Sequence, residues 1–214
     1  MKYVKFYSGN LSRSVFGIIS LLTISVILNS CLDPVSPSPD PGYLAIHLQA
    51  SANDNVITIA GITDTVSKQD HFNITVSEGR VVRKDSAYSN LFQSLAEYRL
   101  QDHVYNILKR NENESPVDYQ IFKTELPPGD YNEISFAMTA DLMQLITSEG
   151  QILKIPIKLP PEETPLIKFP TDLTIKSNDT TVVNLTIYPF KSVSRYKDSF
   201  RFLRKLEVKS VKQP

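Results

Sequence analysis

The sequence predicts an all-β body, an antiparallel β-sandwich, carried behind an export segment. Three observations lead there. From Tyr43 onward apolar residues recur with period two, as in Leu44, Ile46 and Leu48 or Ile134, Phe136 and Met138. Those runs are rich in Val, Ile and Thr, which suit a pleated, half-buried surface. Turn residues separate them at intervals of roughly eight to fifteen residues, and no long helical period competes.

The chain opens with Lys2, Lys5 and Arg13 and no acidic residue nearby, followed by an apolar run from Val15 to Leu28. A run of about fourteen residues falls short of the roughly twenty that span a bilayer as a helix, which suits a signal segment. It ends in Leu28-Asn29-Ser30-Cys31, and Cys31 is the single cysteine of the chain. An aliphatic residue, two small or polar positions and a cysteine read as a bacterial lipobox. Residues 1–30 are then a cleaved lipoprotein signal peptide and Cys31 the site of lipid attachment. Acylation consumes a thiol that would otherwise be an oddity in an exported chain. One acyl chain holds a protein only marginally, so the diacylglyceryl group and further palmitate-like chain of bacterial lipoproteins imply a lasting anchor. Leu32, where enteric bacteria place Asp to retain a lipoprotein at the inner membrane, favours the outer membrane. The leaflet it faces stays open.

Residues 31–42 hold the lipidated cysteine and a tether. Pro34, Pro37, Pro39 and Pro41 alternate with small polar residues. Such a segment favours extended polyproline II and reaches about 30 Å. The body spans residues 43–214, a length that buries a sizeable core without disulfides. The whole chain has 23 basic and 23 acidic residues. Loss of Lys2, Lys5 and Arg13 leaves it mildly acidic, which excludes the basic footprint of a nucleic-acid binder.

Strands are expected at 43–49, 56–59 and 72–76, with Glu78-Gly79 as a tight turn into 80–84. Residues 88–97 read as strand, with a helical turn as the alternative because Leu91, Leu95 and Tyr98 fall at helical spacing. Asn111 to Pro116 is a polar loop. Tyr119–Leu126 enters Leu126-Pro127-Pro128-Gly129-Asp130-Tyr131, where Pro128 and Gly129 suit the central positions of a type II turn. Tyr131–Met138 follows. Ser148–Gln151 turns into Ile152–Leu159, where Pro156 suggests an edge strand or bulge. Short strands at 166–169 and 173–175, a turn at Asn178-Asp179, a strand at 182–187 and a final strand from Phe200 to Val211 complete the body.

Three blocks resemble a family of bacterial lipoproteins of unknown function. They are Gly42–Gln49 with His71–Val76, the Leu126–Tyr131 motif running into Ile134, and Val183–Ile187 with Phe190–Val193 and the hairpin beyond. The resemblance implies a transthyretin- or immunoglobulin-like sandwich over residues 42–211 and brings no catalytic residues with it.

Chemical signatures are sparse. His47, His71 and His103 fall in separate strands without metal-ligand spacing, although Asp54, Asp64 or Asp70 could join them in space. No G-x-S-x-G elbow exists. Asn53-Asp54-Asn55 departs from the Ca²⁺-loop pattern. Tyr88, Tyr98, Tyr105 and Tyr119 are candidate sugar platforms, set against ordinary packing. Lys191, Arg195, Lys197, Arg201, Arg204 and Lys205 make a locally basic run. No catalytic, cofactor or metal residues are expected. The expectation is a membrane-anchored envelope lipoprotein, a non-enzymatic binding module for a protein or glycan partner. The alternative is an adhesion or fimbria-like assembly subunit that pairs edge strands.

Overall fold

A computed structural model describes residues 38–59 and 61–213. The signal peptide, Cys31 and most of the tether lie outside the described residues. The strands are β1 (Gly42–Ala50), β2 (Val56–Ile59), β3 (Ile62–Thr65), β4 (His71–Arg83), β5 (Tyr88–Asn90), β6 (His103–Asn106) and β7 (Asp118–Leu126). They continue with β8 (Gly129–Ile146), β9 (Ile152–Lys158), β10 (Leu166–Ile175), β11 (Thr180–Ile187), β12 (Val193–Tyr196), β13 (Ser199–Phe202) and β14 (Leu206–Lys212). Among the described residues there is no helix.

Two sheets pack as a sandwich. The smaller has the order β14-β11-β1-β7, and the larger runs β12-β13-β9-β8-β4-β5 with β10 also on β8 and β6 also on β4. Leu44, Ile46 and Leu48 of β1 are fully buried, as the alternation predicts. Opposite them Ile134, Phe136 and Met138 of β8 are equally buried. The ring of Phe122 on β7 lies 5.8 Å from that of Phe136, which stacks on Phe169 at 5.4 Å. Such aromatic pairs add about 0.5–1.5 kcal/mol each beyond the area they bury. Among the described residues the hydrophobic core runs from Leu44 to Val211, and the chain from Pro39 onward forms one compact unit.

The sandwich is not wholly antiparallel. β1 pairs with β11 in parallel, and so does β13 with β9. Parallel neighbours need a crossover between them. For β1 and β11 that crossover is most of the larger sheet.

Several elements depart from the local reading. Glu78-Gly79 is not a turn but a bulge inside the continuous β4, between Ser77 paired with Ala137 and Arg80 paired with Ser135. Two residues there oppose one on β8, as bulges do. Glu78 takes φ +51. A Cβ on Gly79 would come within 2.6 Å of the Phe122 ring. Residues 88–97 contain only the short β5, and Leu95 and Tyr98 stand exposed, so neither helix nor long strand forms there. The expected final strand breaks at Leu203–Lys205. Its first part, β13, belongs to the larger sheet and its second, β14, to the smaller one. Arg204 makes this corner with φ +49, its guanidinium bonded to Thr164 O at 2.6 Å and to the Glu163 carboxylate.

At Leu126–Tyr131, Gly129 has the expected positive φ, at +146. The value is far from the roughly +80° of a type II turn. The Pro127 carbonyl accepts instead from the Tyr131 hydroxyl at 2.7 Å, tying the buried ring back to the corner. β-sandwich domains use the same kind of tie.

Candidate functional site

Behind β1, Ser51–Asn55 leads into the β2–β3 hairpin. The hairpin stands over the end of the larger sheet where β9, β12 and β13 meet. Between them is a cleft of about 880 Å³. Ligand sites commonly have this size and mix apolar walls with a few convergent polar groups. Ile57, Ile59, Leu153, Ile155, Phe190 and Phe200 supply apolar wall. Alternation sets Ile57 with Ile59 on β2 and Leu153 with Ile155 on β9, whereas Phe190 comes from the turn after β11. Val193 and Arg195 project from the same face of β12, and Arg195 pairs across the ladder with Phe200.

Lys154 from β9, Lys191 from the loop after β11 and Arg195 from β12 bring three cations to the cleft, against Asp54 and Asp198. Lys191 Nζ lies 4.8 Å over the Tyr188 ring. The Tyr188 hydroxyl donates to Glu207 Oε1 at 2.5 Å, and that bond raises its pKa. Asp54 is only 7 % exposed, and its Oδ2 accepts from Phe190 N at 2.8 Å and Lys191 N at 3.2 Å. Its carboxylate is a latch between two loops. One oxygen of the Asp54 carboxylate is thus engaged by the chain itself.

The histidines stay apart. His47 Nδ1 lies 3.0 Å from Asp118 Oδ2, and His71 Nδ1 lies 3.0 Å from Asn106 Nδ2. His103 Nε2 is 3.8 Å from Glu97 Oε2. Asp70, 1 % exposed, gives its two oxygens to Ile146 N and Ser67 N. Among the described residues no cluster of three or more His, Cys, Asp or Glu forms a metal site. On the outer face of the smaller sheet His47, Asn184 and Ser210 lie in one cross-strand row. Asn184 bonds Ser210 and separates it from the histidine, so this serine is not paired with a base.

The tyrosines divide. Tyr105 and Tyr119 pack ring to ring at 5.2 Å, Gln93 Nε2 donates to Tyr105 Oη at 2.6 Å, and Tyr119 Oη donates to Asn106 O at 2.8 Å. They are packing residues and not platforms. Burial raises the pKa of both. Tyr88 and Tyr98 remain exposed, each beneath an arginine. The basic run also divides. Lys191 and Arg195 face the cleft, Lys197 and Arg201 lie over Tyr196, and Arg204 is spent at the corner. Sequence reasoning named these residues, but not the cleft. The Asn53–Asn55 turn was its one visible signal.

In comparisons with known proteins, the chain matches no family model, no curated protein and no solved structure.

Proposed function

We propose that this protein is a lipoprotein of the bacterial cell envelope, held to the outer membrane by lipid on Cys31, whose β body is a non-enzymatic binding module for a protein or glycan partner. The observation that carries the reading is the cleft of about 880 Å³, apolar in its walls and cationic at its margin. Its one buried carboxylate, Asp54, already accepts two backbone N–H groups and is committed to holding the site's shape. With Tyr105 buried and the half-buried Tyr119 packed ring to ring against it, support for the partner falls more on protein than on glycan. The lipobox ending in Cys31 and the proline-rich tether support the anchor, and the Tyr131 tie supports a sandwich of transthyretin- or immunoglobulin-like kind.

The anchor is tested by fractionation and mass spectrometry. Cys31→Ala is expected to move the chain from the membrane to the soluble fraction, and intact protein is expected to begin at an acylated Cys31. An unmodified thiol there would sink the anchor. Cross-linking in whole envelopes followed by affinity capture tests the module. Failure to recover a specific partner, with turnover of a substrate in an activity screen, would overturn it.

A second reading, the adhesion or fimbria-like subunit, is favoured by β14. Its one hydrogen-bonded strand neighbour among the described residues is β11. Laddering on gels after proteolytic removal of the last strand would support it, and a strictly monomeric body would exclude it.

A further inference from the structure

Two strand edges without a strand partner among the described residues border the cleft. In the β8–β9 ladder, Thr147 N donates to Gln151 O at 2.9 Å, and the register continues through Leu145–Leu153 and Met143–Ile155. Hydrogen-bonded and non-bonded pairs alternate in an antiparallel ladder. That phase gives Leu153 and Ile155 their bonds to β8 and turns the N–H and C=O of Ile152 and Lys154 the other way. Pro156, which has no N–H, falls on the outward-facing phase, where β8 asks nothing of it. On that outward side β13 pairs only with Ile157 and Lys158. From Ile152 to Ile155 the edge has no strand partner among the described residues.

β2 repeats the situation. Val66 N donates to Asn55 O at 2.9 Å, and the register runs Val56–Thr65, Ile57–Asp64, Thr58–Thr63. The phase directs the N–H and C=O of Val56 and Thr58 away from β3. The Thr58 and Thr63 hydroxyls meet at 2.9 Å, as suits a close, non-bonded pair. Val56–Ile59 and Leu153–Ile155 line the same cleft.

We infer that the cleft binds a partner protein by strand addition, taking an extended segment in which apolar residues alternate with acidic ones. This deepens the binding-module reading and rests on it. Exposed edge groups give such a segment main-chain hydrogen bonds, and pockets for alternate side chains give it selectivity. Its apolar residues meet the half-buried Ile59, Leu153 and Phe200. Its acidic residues meet Lys154, which leaves β9 on the face opposite Leu153 and Ile155, while Arg195, on the face of Phe200, and Lys191 add positive charge that outweighs the exposed Asp198. An acyl chain would fill the same walls but leave the edge N–H and C=O groups without partners, so a peptide is the better match.

The test is selection of a displayed random-peptide library on the body from Pro39 onward, followed by amide exchange on the complexes. Selected peptides are expected to alternate apolar and acidic residues and to slow exchange at Ile152 and Lys154 or at Val56 and Thr58. Methylating alternate peptide nitrogens is expected to abolish binding, a control that leaves the protein untouched. Lys154→Pro removes an outward donor without touching the β8 ladder and is expected to weaken binding about tenfold, against about twofold for Lys154→Gln. Failure to select a binder, binders without acidic excess, or binding with unchanged exchange at both edges would overturn the inference. So would palmitate occupying the cleft and displacing the selected peptides. If envelope capture recovers a partner whose binding ignores Lys154→Pro, strand addition fails while the module reading stands. If envelope capture recovers no partner and an activity screen shows turnover, the module reading fails and the inference falls with it, whatever the library selects.

Discussion

Asp54 Oδ2 stands 2.8 Å from the backbone nitrogen of Phe190, a residue 136 positions away. The same oxygen takes Lys191 N, so one buried side chain joins the loop after β1 to the loop after β11 and shapes the cleft between them. Asp54→Ala leaves two N–H groups without their acceptor. It is expected to cost about 1–3 kcal/mol. Asp54→Asn keeps an acceptor and should cost less. Urea unfolding midpoints measure both, and an Asp54→Ala midpoint equal to wild type would refute the latch.

Tyr131 and Pro127 are tied by one hydroxyl bond at a bend that has no turn hydrogen bond of its own. Tyr131→Phe keeps the buried ring and removes only the tie. The expected loss is about 0.5–1.5 kcal/mol. Thermal unfolding reads it, and Tyr131→Ala, which empties core volume as well, should lose clearly more.

Gly79 has no room for a side chain. Phe122 and the Leu91 Cβ lie 2.6 and 2.8 Å from where its own Cβ would stand. Gly79→Ala forces the core against β4 and is expected to destabilise by about 1–3 kcal/mol. Pairing it with Phe122→Leu should recover part of that loss. A double variant no better than the single one would show that the contact is not the cause.

Tyr105, Tyr119 and Tyr131 all have pKa values raised above the ordinary 10.0, chiefly by burial. A phenol with a raised folded-state pKa favours folding fully below its unfolded value. That contribution is lost as pH climbs through the folded value. The body is expected to hold its stability up to about pH 10 and then weaken. Ultraviolet difference titration should find these three ionising only above the ordinary 10.0. Ionisation at or below that value would contradict the packing described for them.

Strand positions were largely legible in the sequence because burial on one face of a sheet writes a period-two pattern into neighbouring residues. Leu44, Ile46 and Leu48, and Ile134, Phe136 and Met138, needed only that pattern. Pro156 was legible as an edge signal for a local reason too, its missing N–H. The export segment and Cys31 are likewise arguments from sequence alone. Other features depended on partners far away in the chain. Glu78-Gly79 carries ordinary turn composition, and only the Phe122 ring and the long β8 make it a bulge. Phe202 and Leu206 alternate as one strand, yet the corner at Arg204 sends them to different sheets. The cleft was invisible for the same reason. Its cations come from Lys154, Lys191 and Arg195 on separate elements, and its shape hangs on Asp54 meeting Phe190. Local composition records which residues are buried, whereas the identity of their neighbours is decided only when sheets close over a shared core.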